Sequence, residues 1–215
     1  MLSTRKDVFF MVLAGIFITS AIVAELISCK IIDTPLFPII AGIVPWPVVF
    51  LLTDVMNEHF GKQAVKRLSW ITMGLIAFCF FIIAVSVELP TSEISPINHD
   101  EFSKVFSGSL WIMVGSITAF ICSQLLDVKL FEVFNRLTNG KMIWLRSTGS
   151  TVFSQLVDSY VVLFIGFYVP GKISFSEFIF FGITGYSVKL ALAVLLTPLI
   201  YAMHYLAKWI IPAES

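Results

Sequence analysis

Between Arg146 and Phe167 the chain reads RSTGSTVFSQLVDSYVVLFIGF, an apolar run interrupted by Ser147, Ser150, Thr151, Ser154, Gln155 and Asp158. These residues recur at spacings of three and four, which places them on one face of a helix. About 20 residues in helical form cross a ~30 Å hydrocarbon core. An ionisable group in that core costs roughly 2.5–3.5 kcal/mol or more, so it normally turns toward a bundle interior or a wet cavity. Asp158, with Ser154 and Gln155 beside it, is the first candidate for holding a solute.

Lys189 is the second. At a rise of ~1.5 Å per residue, Asp158 lies about 18 Å beyond Arg146 and Lys189 about 22 Å before His204. Both come to mid-membrane, as an ion pair or as a cation and anion flanking one ligand; the plainer alternative is a pair that only fixes helix packing. Asp54 and Glu58 are four residues apart, hence on one helical face, with Asn57 beside them. With Gln124 and Asp127 they predict an acidic inner cluster, suited to gating or proton transfer because neighbouring carboxylates raise one another's pKa. Interfacial carboxylates pairing with Lys62, Lys66 and Arg67 explain Asp54 and Glu58 equally well.

Glu25 is expected to line the outer mouth, while Lys30 reaches the surface by snorkelling. Trp46 and Tyr186 could stack on a flat heterocycle, although aromatics at such places more often pack or anchor at the interface. A metal site from Asp54, Glu58 and His59 is disfavoured, because His59 points elsewhere on a helix. None of the three histidines has the surroundings of a zinc protease or a nucleophile elbow, and there is no phosphate-binding glycine loop. Neither a cofactor nor enzymatic catalysis is expected.

The elements that must position these residues are membrane helices. Apolar residues make up 58% of the 215 and charged residues 13%, against about 25% charged in a soluble domain. The apolar runs predict six spans: Val8 to Cys29, Leu36 to Asn57, Ser69 to Val87, Ser107 to Asp127, the Arg146–Phe167 stretch, and Phe178 to Ala207. Pro35, Pro38, Gly42, Pro45 and Pro47 crowd the first half of the second, so a regular helix is not expected there. A 20-residue acidic connection follows the third, and Pro198 predicts a kink in the sixth. Net charge is zero, and no basic patch suggests nucleic acid. Cys29, Cys79 and Cys122 have neither disulfide nor metal-ligand spacing. The box around Cys29 resembles a lipoprotein cleavage site, but Glu25 interrupts the apolar run and five spans follow, so the first helix is expected to be retained.

Ten Lys and Arg fall in the N-terminus, the 2–3 and 4–5 loops and the C-terminus, against Lys30, Lys104 and Lys172 in the alternate loops. The positive-inside rule then puts both termini in the cytoplasm. Ser-Gln-Leu-Leu-Asp (123–127) and Ser-Gln-Leu-Val-Asp (154–158) nearly repeat, with Leu-Thr-Asp (52–54) a looser echo. Two three-helix halves of opposite direction would form an inverted repeat with a site between them.

Three patterns in this order resemble one family: Leu-Thr-Asp-Val-x-Asn-Glu-x-x-Gly at 52–61, Gln-x-x-Asp-Val-x-x-Phe at 124–131, and Arg146, Ser150-Thr151, Gln155, Asp158-Ser159. They look like the YhhQ-type queuosine precursor transporters, also called the vitamin uptake transporter family. The likeness covers nearly the whole chain, including a lysine in the last span, here Lys189. It implies a bacterial inner-membrane protein that imports 7-deazaguanines (preQ0, preQ1 or queuine) for tRNA modification. Such bases offer donors at N1 and the exocyclic amine, which carboxylates and amides accept well; Asp158, Gln155, Asp54 and Glu58 are the positions carried over. Where the family pattern has an Asn in the first span this chain has Glu25, which would favour the aminated precursors over the neutral nitrile.

The expectation is therefore an all-α polytopic membrane protein, a single domain of six transmembrane helices over residues 1–215. Its partners are a small-molecule substrate, a deazapurine base held among spans one, two, four, five and six, and the lipid bilayer. No nucleic acid is expected, and Gly182 and Gly185 leave room for a homodimer. The rival readings are a substrate-capture subunit of an energy-coupling-factor importer, an intramembrane enzyme and a structural subunit.

Overall fold

The structure, a computed structural model, describes residues 4–138, 149–196, 198, 199, 202, 203 and 205. Six α-helices account for most of it: α1 Arg5–Ile27, α2 Trp46–Phe60, α3 Lys62–Glu88, α4 His99–Leu137, α5 Ser150–Leu163 and α6 Phe175–Leu195. Four of them (α1, α3, α4 and α6) are long and apolar enough to cross a membrane. The chain divides into two compact units, residues 1–82 with 187–215 and residues 83–186, the divide falling within α3 and α6.

Helix starts follow capping chemistry. Thr4 and Asp7 form a reciprocal capping box at α1, the Thr4 hydroxyl accepting from the Asp7 backbone at 3.2 Å. Asn98 and Glu101 do the same for α4. That second box corrects the expected start of the fourth span at Ser107. The helix nucleates in the acidic segment eight residues earlier and shortens the connection to residues 89–98. At 39 residues, α4 is about 58 Å long, nearly twice the hydrocarbon thickness.

In the first unit, the proline-rich stretch forms a small antiparallel hairpin, β1 Ile31–Asp33 with β2 Pro38–Ile40, paired Ile31 to Ile40 and Asp33 to Pro38. This adds a little strand to the expected all-α fold. Pro38 has no N–H to donate, which a two-stranded edge tolerates. A 3₁₀ turn, Ala41–Ile43, leads into α2, which starts at Trp46 between Pro45 and Pro47. The second span is thus broken as the prolines predict, and its helix has only 15 residues. Gly61, at φ 82°, reverses the chain between α2 and α3 in a conformation that favours glycine.

Val49, Leu52, Val55 and Met56 form the buried face of α2 and pack with Leu13 and Phe17 of α1 and Val65 and Leu68 of α3. Lipid is as apolar as leucine, so this core is held by dispersion and close fit more than by water exclusion. Gly42 shows how close: a Cβ there would collide with the Ser28 hydroxyl and lie 2.9 Å from the Ala24 carbonyl oxygen. Gly42→Val is expected to cost about 1–3 kcal/mol as overpacking. Thermal unfolding in detergent should therefore shift down by several degrees, while Gly74→Val, with nothing within 4 Å of its Cβ, leaves it unchanged.

In the second unit, α4 and α5 pack antiparallel at backbone distance. A Cβ on Gly115 would lie 3.1 Å from the Val162 carbonyl oxygen, and one on Gly166 would lie 3.2 Å from the Ile112 Cα. Beyond Leu163 the helix continues as a π-helical turn, Phe164–Tyr168, closed by Val169 N donating to Phe164 O at 2.8 Å. The Tyr160 ring lies against Gly182 of α6, whereas Gly185 has nothing within 4 Å. The regular helix α6 stops at Leu195, three residues before Pro198.

Candidate functional site

The hydroxyl-bearing residues of the spans separate by chemistry. Thr53, Thr72, Thr118, Ser159 and Thr184 each donate to the carbonyl four residues back, at 2.7–3.0 Å. A hydroxyl can satisfy itself this way without water. A carboxylate only accepts, so it needs a donor from elsewhere.

Asp158 has one on the neighbouring helix. The buried Ser123 hydroxyl of α4 reaches Asp158 Oδ1 at 3.4 Å. This contact also explains the two pentapeptides. On antiparallel helices, Ser123 opposite Asp158 brings residues 123–127 alongside residues 154–158, serine end to aspartate end. Phe134 stacked near Phe153, with ring centroids 6.4 Å apart, continues the same register. The repeat is therefore a side-by-side pair within one unit. Ser123 was not among the candidates; its signal was its place in the repeated motif.

The expected polar stripe of α5 splits in two. Ser150 and Ser154 are buried, at 1% and 4% exposure, on the face that carries Asp158, which is itself half-buried. Gln155 is exposed. Tyr186 is not poised to stack: its hydroxyl donates to the Val152 carbonyl at 3.0 Å and ties α6 to α5. On α4, Gln124 is half-buried. The Asp127 side chain lies outside the described residues, as do Arg146, Ser147 and His204 and the Thr151 side chain.

In the first unit, Asp54 and Glu58 are both exposed, on the side of α2 away from Val49, Leu52 and Met56; Asn57 is half-buried and its carbonyl accepts from Gly61 N at 3.1 Å. Glu25 is half-buried in the last turn of α1, while Lys30 is exposed just past its end. Lys189 is half-buried, and its ammonium lies 4.8 Å from the centroid of the Trp46 ring. That distance is within the ~6 Å of a cation–π contact. Among the described residues, no three His, Cys, Asp or Glu side chains gather closely enough to hold a metal ion.

Residues 40–203 match the family described as "Putative vitamin uptake transporter". The chain belongs to this family. Every candidate residue except Glu25 falls inside the matched region. Among curated relatives of this vitamin uptake transporter, a "Probable queuosine precursor transporter" of Bacillus subtilis is 31% identical over 81% of the chain and 73% of the relative. A second protein of that name, from Haemophilus influenzae, is 27% identical over 72% of the chain and 63% of the relative. The "Queuosine precursor transporter" of Escherichia coli is 29% identical over 59% of the chain and 54% of the relative. No solved structure matches. Family membership and several apolar helices together make this a multi-pass membrane protein.

Proposed function

We propose that the chain is a secondary transporter that imports queuosine precursors, the 7-deazaguanine bases preQ0, preQ1 or queuine, across the bacterial inner membrane for tRNA modification. The observation that carries this reading is a half-buried carboxylate, Asp158, on an apolar helix of a chain whose curated relatives are named for that cargo. The base donates from N1 and its exocyclic amine to Asp158, with Gln155 and Ser154 on the same helix completing its polar edge. Asp54, Asn57, Glu58, Gln124 and Asp127 serve its release toward the cytoplasm by alternating access. Six crossings place both termini there. The 14 residues of α5 cross with the π-helical turn that continues them, and the 15 of α2 with the hairpin before them.

Glu25 selects among precursors. An acidic group at the outer end of α1 favours preQ1 and queuine, which carry an amine, over the neutral preQ0. The test is uptake of the three labelled bases side by side into liposomes holding only the purified chain, with and without a pH gradient. Accumulation of preQ1 or queuine above preQ0 is the expected result, and Glu25→Asn should narrow the difference. Uptake of none of them overturns the cargo assignment. Uptake that requires an added ATPase overturns the secondary mechanism.

A further inference from the structure

We propose that the Trp46 indole is the stacking face for the substrate ring and that the Lys189 ammonium fills this face when the protein is empty. The inference rests on the transport reading above and names a residue that reading leaves without a role. A tryptophan serving as an interfacial anchor turns toward the headgroups. Trp46 instead packs against the buried cluster of α1 and α2, with Phe50 supporting its ring at 5.4 Å and the Lys189 ammonium 4.8 Å from its centroid. Pro45 and Pro47 fix the backbone on either side, so the ring is presented on a stiff first turn.

A membrane helix gains little from a lysine whose only task is to cover an indole, since a leucine would fill the space without desolvating a charge. The contact makes sense as an exchange. A flat heteroaromatic base stacks on the indole, and the displaced ammonium donates to an acceptor on the rim of that base. Cation–π and base–aromatic contacts are of similar strength, so the exchange is nearly balanced, and a carrier that must release its cargo gains from that balance.

The experiment measures binding of 7-deazaguanine bases to the purified full-length chain, by calorimetry and by tryptophan fluorescence. Trp46→Leu is expected to weaken binding roughly tenfold to a hundredfold, while Trp46→Phe, which keeps a π-face, retains most of it. Ligand-induced quenching should vanish in Trp46→Phe and persist in Trp70→Phe. Lys189→Met should alter the emission of the empty wild-type protein and leave that of Trp46→Phe unchanged. If Trp46→Leu folds poorly, the Trp46→Phe quenching result still decides. Wild-type binding that is indifferent to Trp46, or quenching that survives its loss, overturns the ring assignment alone. A wild-type chain that binds no such base overturns the transport reading and the assignment with it.

Discussion

Asp158→Ala is expected to abolish precursor uptake while the protein still reaches the membrane at its normal level. The side chain is half-buried in α5 and takes its donor from Ser123 of α4 at 3.4 Å. That distance is at the long end of a hydrogen bond, so the contact contributes little to holding the two helices together. The close backbone approach at Gly115 and Gly166 does that instead. Removing the carboxylate should therefore leave the fold nearly intact and take away the acceptor for the base. A loss of two charge-assisted hydrogen bonds, at about 1.5–3 kcal/mol each, lowers uptake by at least ~100-fold. Ser123→Ala leaves the carboxylate in place and removes one weak donor, so a decrease of about three- to tenfold is expected. The checks are uptake per molecule of protein and melting temperature, measured on the same preparations. An Asp158→Ala protein that melts early yet transports normally would make the residue a packing group and remove it from the site.

How much of this could be read from the chain alone depended on distance along it. Spans show themselves because lipid requires some twenty apolar residues in a row, and the caps because they close over three residues. Asn98 and Glu101 carried the α4 capping box in plain view, yet the surrounding acidic residues made the segment look like a loop. Asp158 was legible because a charge in an apolar run is costly wherever the helix goes. The split of its stripe was not: Ser154 and Gln155 are adjacent, and only the packing of α5 decides that one is buried and the other exposed. Pro35 to Pro47 announced a broken helix but could not say that the chain would use the break for a hairpin. The meeting of Lys189 with Trp46 lies beyond any local rule, because helix order and rotation bring together residues at opposite ends of the sequence. Glycines were the weakest guide. Gly182 and Gly185 look alike in sequence, and only the first is covered, by Tyr160.

Gly166→Leu is expected to be the most damaging substitution for the fold itself. A Cβ at this position would meet both the Cα and Cγ1 of Ile112 at 3.2 Å, and a Cβ at Gly115 would meet the Val162 carbonyl oxygen at 3.1 Å and the Gly166 nitrogen at 3.3 Å. Most of these are backbone atoms, which cannot swing aside as a long side chain would. Alanine at either position requires the helices to part by a few tenths of an ångström, a cost near the low end of the ~1–3 kcal/mol for overpacking. Leucine adds three carbons to the same gap and forces α4 and α5 apart along the crossing where Ser123 meets Asp158. The Gly166→Leu protein should show a large fall in folded yield from detergent and lose uptake with it. Gly115→Ala and Gly166→Ala should each lower the melting temperature by a few degrees. Their combination should cost less than the sum, because one separation of the helices relieves both contacts. Gly15→Leu offers the contrast: no atom lies within 4 Å of its Cβ, so yield and uptake should match those of the unaltered protein. Additive alanine effects would show instead that the two glycines sit in independent contacts and that the helices do not move as one rigid pair.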